Sequence, residues 1–188
     1  MLIAQLLRPF GYLAIRHPYK WIVDWLYPGL LAIAAFVFIS FHGGYIDFIK
    51  GGGLVSLVLS FVQSLPGFYI AALAAVSTFG RSDIDSVLPE PTPKIKIRFR
   101  DKENIVSLTR RRFLAMLFAF LTGESILLVV FSIFLLSYGG MVFDFAVWKI
   151  DLGGWLAVSS VFLYFLIFFQ MVLATFWGLY YLGYKLHE

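Results

Sequence analysis

Glu124 is the only charged residue in the long apolar stretch between Arg112 and Asp144. It lies twelve residues beyond Arg112, a rise of roughly 18 Å at about 1.5 Å per helical residue. In a hydrocarbon core about 30 Å thick, that is close to the midplane. A carboxyl group there must be neutral, hydrogen-bonded or in contact with water, because an isolated ion in hydrocarbon is very costly. Two chemistries fit such a group: proton relay along a water-lined path, or helix-to-helix bonding by the neutral acid. No Lys, Arg or His is expected at the same depth to pair with it. Gln63 and Gln170 sit in the middle of two other apolar stretches. Amides in lipid bond across helices, so Gln63, Glu124 and Gln170 are expected to form one intramembrane polar cluster.

Small residues recur beside these polar ones. Gln63, Gly67, Ala71 and Ala75 repeat every four positions, as do Ala115, Ala119 and Gly123, and Gln170, Ala174 and Gly178. Such spacing places each set on one narrow helix face, where backbones can approach closely. Pro66 removes a backbone donor near Gln63 and marks a bend or hinge.

Other chemistries lack their residues. With no cysteine, thiolate catalysis, disulfides and iron–sulfur clusters are excluded. The histidines His17, His42 and His187 are far apart in sequence and join no acidic cluster of metal-ligand spacing. The glycine pairs and triplets at 51–53 and 153–154 lack the Lys-Ser/Thr of a phosphate loop. No nucleophile, base and orienting group share one depth. No catalytic residue, metal or cofactor is expected, and the chain reads as a non-enzyme.

The elements that carry these residues follow from composition. Of 188 residues, 61% are apolar and only 14% charged, against about 25% charged in soluble domains. A globule of this size cannot hide that much apolar surface. The fold class expected is an all-α integral membrane protein, with four transmembrane helices in a compact bundle. The spans fall near residues 25–41, between Lys50 and Arg81, between Arg112 and Asp144, and between Asp151 and Lys185. This divides the chain into a 1–24 interfacial segment, a 25–80 transmembrane hairpin, an 81–112 basic loop, a 113–183 second hairpin and a 184–188 tail. Arg8, Pro9 and Gly11 interrupt any cleavable leader, so the first span is expected to remain as an anchor.

Thirteen of the fifteen basic residues lie in the 1–24 segment, the 81–112 loop and the tail; only Lys50 and Lys149 lie elsewhere. The positive-inside rule then places both termini and the central loop in the cytoplasm, and loops 42–52 and 140–154 outside. A bacterial inner membrane is the expected location. Trp21, Trp25 and Tyr27 mark the inner end of span one, and Trp177, Tyr180, Tyr181 and Tyr184 that of span four.

Outside the spans, Leu2, Ile3, Leu6 and Phe10 make one apolar face of a short interfacial helix. In the loop, Pro89, Pro91 and Pro93 favour an extended connector. The run Lys94 to Arg100 alternates with period two, as a strand would, with Lys94, Lys96, Arg98 and Arg100 on one face and Ile95, Ile97 and Phe99 on the other. Residues 101–104 can turn the chain, and 105–108 can return as a second strand. A lone hairpin is marginal in water, so its apolar face calls for a partner. Lys94, Lys96, Arg98, Arg100, Arg110, Arg111 and Arg112 are the expected contacts for anionic lipid or for a protein. The loop nets only +4 and has no aromatic ladder, so nucleic acid is not expected.

The function expected is that of a non-catalytic membrane subunit or scaffold in a homo- or hetero-oligomeric complex. An oligomeric channel or membrane-permeabilising effector, for instance in bacterial immunity, is the alternative, and a small solute transporter a further one.

Overall fold

The computed structural model describes residues 2–42, 48–49, 52–78, 80, 82–99, 102–143 and 152–183. Asp47 and Asp144, the tail 184–188, Arg100 and the side chains of Ile97, Arg98 and Phe99 lie outside the described residues.

A short helix α1 (Leu2–Leu6) runs into a 3-10 turn at Arg8–Ala14, and a widened π turn at Ile22–Leu26 leads into α2 (Tyr27–His42). Then come α3 (Leu54–Val62) and α4 (Leu65–Thr78), a 3-10 turn at Ser82–Asp85, strands β1 (Lys94–Phe99) and β2 (Lys102–Ser107), and the long helices α5 (Arg110–Phe143) and α6 (Leu152–Gly183). Four helices are long and apolar enough to cross a membrane: Ile22–Phe41, Leu54–Thr78, Arg110–Phe143 and Gly153–Gly183. This marks a multi-pass membrane protein. Span one begins at Ile22, so Asp24 belongs to the helix and not to the leader.

The second span is interrupted at Gln63–Ser64. Pro66 has no N–H to return to Val62 four residues earlier, so the ladder breaks there and restarts at Leu65. Helix α5 touches α3, α4 and α6, and also the 8–14 turn, while α2 lies against α6. Buried Phe113, Leu117, Phe120 and Leu121 on α5 face the core with Tyr164, Met171 and Ala174 on α6. Two hydroxyl pairs join helices. Ser132 donates to the Leu128 carbonyl at 2.7 Å, so its oxygen accepts from Tyr164 at 2.8 Å. Thr175 donates to Met171 at 2.7 Å and accepts from Tyr69 at 2.7 Å.

The hairpin is antiparallel, with Lys94 opposite Ser107 and Phe99 opposite Lys102. The ladder therefore includes Lys102, Glu103 and Asn104, which the sequence suggested as turn residues. Only two residues connect the strands, as short hairpins prefer. The hairpin is not free. Arg16 N–H donates to the Lys94 carbonyl at 2.8 Å and Lys94 N–H to that of Arg16 at 3.0 Å. A second bridge pairs Val87 with Thr109.

Arg111 closes the other side. Its guanidinium donates to the carbonyls of Val76 (2.9 Å) and Ser77 (3.1 Å) at the end of α4, and to both Asp85 oxygens (2.7 and 3.0 Å). A cation on the last carbonyls of a helix is favourable. Arg111→Met should speed protease cleavage between residues 79 and 93. The Arg111 guanidinium holds the Asp85 carboxyl below its usual range. A lowered folded-state value means that the tether is present at neutral pH and is lost as pH falls through that value. Wild-type cleavage should rise in acid below about pH 4, and that of Arg111→Met should not. Equal, pH-independent cleavage of the two proteins would contradict this role.

Candidate functional site: a buried polar cluster

Asp24 is the hub. Tyr12 Oη donates to its Oδ1 at 3.1 Å, and Lys20 Nζ forms an ion pair with its Oδ2. Lys20 and Asp24 are four residues apart, so one turn brings them together. Lys20 Nζ also sits 4.1 Å from the centre of the Tyr12 ring, a cation–π contact. The backbone of Asp24 has its own partner. Pro28 has no N–H to donate to the carbonyl four residues back. Gln170 Nε2 from α6 takes that acceptor at 2.9 Å. One proline thus explains why an amide from another helix bonds here.

Glu124 adjoins the same group. It is 2% exposed, and its Oε2 has no hydrogen-bond partner among the described residues. It is within electrostatic reach of Asp24 and Tyr12. The cluster therefore holds two carboxyls and one ammonium, and the ammonium is committed to Asp24. Burial, and then Asp24, pushes the Tyr12 hydroxyl far above its ordinary value, so it stays a donor. Burial pulls Lys20 down, opposed by its bond to Asp24. His17 is also lowered by burial, against a hydrogen bond with the Pro91 backbone.

Aromatic packing positions Tyr12. Its ring stacks on Phe120 with centroids 4.9 Å apart and lies 6.3 Å from Phe113. Gly11 and Gly123 allow the 8–14 turn to approach α5. A Cβ at Gly123 would come 3.3 Å from the Phe10 ring, and one at Gly11 would lie 3.6 Å from Met116. The N-terminal segment beyond α1 is therefore inserted against the helices.

The site residues expected from sequence divide accordingly. Glu124 and Gln170 come together around Asp24. Gln63 does not join them: it is exposed at the break before Pro66, on the far side of the helix from the buried Tyr69 and Val76. Gly67, Ala71 and Ala75 are exposed with it, so this stripe is not the buried face of the helix. The α4 face that meets α5 carries Tyr69 against Phe118 instead. Ala115 and Ala119 are half-buried, and with Gly123 they lie on the helix that receives the N-terminal segment. Ala174 and Gly178 are buried. A Cβ on Gly178 would sit 2.8 Å from Leu117 Cδ2, so α5 and α6 approach closely there. Lys94, Lys96 and Arg112 are exposed, Arg110 is half-buried, and Arg111 is the tether described above.

Tyr12, Lys20 and Asp24 are the members that sequence reasoning did not supply. The signal available was the four-residue spacing of Lys20 and Asp24, together with Pro28 four residues beyond Asp24. No protein-family model, curated protein or solved structure matches the chain, so the meaning of this cluster rests on its own chemistry.

Proposed function

We propose that the chain is a non-catalytic multi-pass membrane subunit or scaffold that works in a homo- or hetero-oligomeric complex. It would form a compact four-helix bundle in a bacterial inner membrane, with both termini and the hairpin in the cytoplasm. One observation carries this reading. Tyr12, Lys20, Asp24 and Gln170 bond to one another and lock the N-terminal segment onto α5 and α6, while apolar surface remains exposed on the leader and the hairpin. Leu2, Ile3, Leu6 and Leu7 of the leader and Ile105 of the hairpin are all more than half exposed. Apolar patches outside the spans mark sites of protein or membrane contact.

Single cysteines at 47, 97 and 144 test the orientation cleanly, since the chain has none of its own. An impermeant thiol reagent on intact cells should label 47 and 144 but not 97. Labelling of 97 alone would overturn the orientation. In mild detergent the protein should run as an oligomer or with a partner, and a bare single chain would contradict the scaffold reading.

A second reading has its own support. The unpartnered Glu124 Oε2 is the kind of group that lines a proton or cation path. It favours an oligomeric channel or membrane-permeabilising effector.

A further inference from the structure

A cavity of about 750 Å³ lies between the N-terminal segment and the hairpin. Three of its lining residues form one row: Arg16 is paired with Lys94, and Lys94 with Ser107. Residues directly opposite in an antiparallel ladder project to the same face. The next row on that face supplies Pro18 and Thr92, and Ile105 lies two residues from Ser107, all three also lining the cavity. The fold therefore holds Arg16 and Lys94 side by side on the cavity wall. Like charges placed directly opposite each other are destabilising unless an anion lies between them.

The other charged groups lining the cavity do not balance this pair. Lys20 also lines the cavity, but it is committed to Asp24. Glu90 offsets one of the two cations, which leaves one positive charge in excess. The other lining is apolar. Leu13, Ile15 and Ile105 form part of it, and Trp21 and Trp25, one helical turn apart, stand exposed beside it. Indoles at the end of a span favour headgroup depth. A free phosphate would use the cations and leave this apolar wall uncovered.

We infer that this cavity is a discrete binding site for one anionic phospholipid, its phosphate between Arg16 and Lys94 and its acyl chains along Trp21 and Trp25. This goes beyond diffuse attraction of a basic loop to the membrane. It rests on the membrane placement proposed above, but it can be tested separately from that placement.

Full-length protein in mild detergent is titrated with phosphatidylglycerol or with phosphatidylcholine of the same acyl chains, and bound lipid is counted by native mass spectrometry. Capture of phosphatidylglycerol should saturate at one per chain. Arg16→Gln with Lys94→Gln should weaken it by about tenfold or more, through loss of two charge-assisted contacts. Arg8→Gln, exposed and not among the residues lining the cavity, should leave it unchanged. Ile105→Glu, at an exposed position, should also weaken capture by placing a negative charge beside the phosphate, and it carries the test if the double variant does not fold. Equal capture of phosphatidylcholine, capture without saturation, indifference to these substitutions, or displacement by millimolar inorganic phosphate would each overturn the proposal. An inverted topology would change the cysteine labelling and leave lipid capture in detergent intact, so the two failures are distinguishable.

Discussion

Lys20→Met should destabilise the protein by about 3–5 kcal/mol, because it leaves the Asp24 carboxylate buried without its cation. Lys20 and Asp24 are both nearly inaccessible, and their ion pair joins the N-terminal segment to the first span. Asp24→Leu alone should cost a similar amount for the mirror reason. The double variant should recover much of the loss, since a buried pair replaced by apolar residues of similar volume is often close to neutral. Denaturant unfolding in mild detergent, followed by circular dichroism, gives the three free energies. Protease access to residues 1–20 reports whether the segment has detached. Additive losses in the double variant would show that the two side chains do not act as a pair.

Tyr12→Ala is the second large effect, at about 3–5 kcal/mol for truncating a buried aromatic. Tyr12 is fully buried, stacked on Phe120, and bonded to Asp24. Tyr12→Phe separates the two contributions. It keeps the ring in place and removes one donor from Asp24, for about 1–3 kcal/mol. The expected order of stability is wild type, then Phe, then Ala. A Phe variant as damaged as Ala would mean that the hydroxyl, and not the stacking, holds the segment.

The four spans were legible because each is an average over some twenty residues, which no local detail disturbs. Strand β1 was legible because Lys94-Ile95-Lys96-Ile97 alternates so regularly. Glu124 and Gln170 stood out as polar groups in apolar runs. The residue they adjoin did not. Asp24 lies at the end of a span, where a charge ordinarily meets water, so nothing in its neighbourhood signalled burial. Tyr12 sits in a segment whose prolines, glycines and arginine read as an interfacial leader. Its insertion depends on the long-range fit of Phe10 against Gly123. The stripe Gln63, Gly67, Ala71 and Ala75 shows the opposite limit. Period-four spacing establishes a shared face, but it does not say whether that face meets a helix of the same chain. Here Tyr69 and Val76 take the buried face of the helix, and this stripe is left exposed.

Glu124 separates the scaffold from the pore. As a neutral acid joining helices it should tolerate Gln, which keeps polarity and shape, while Leu should cost about 0.6–2 kcal/mol of helix association. Lining a conducting path, it could not tolerate Gln without loss of flux. Ion current across planar bilayers containing purified wild type or Glu124→Gln, with oligomer size measured on the same samples, decides between them. The scaffold reading predicts no current above the bare bilayer for either protein and the same oligomer size for both. A wild-type current that disappears in Glu124→Gln while the oligomer stays intact would contradict it.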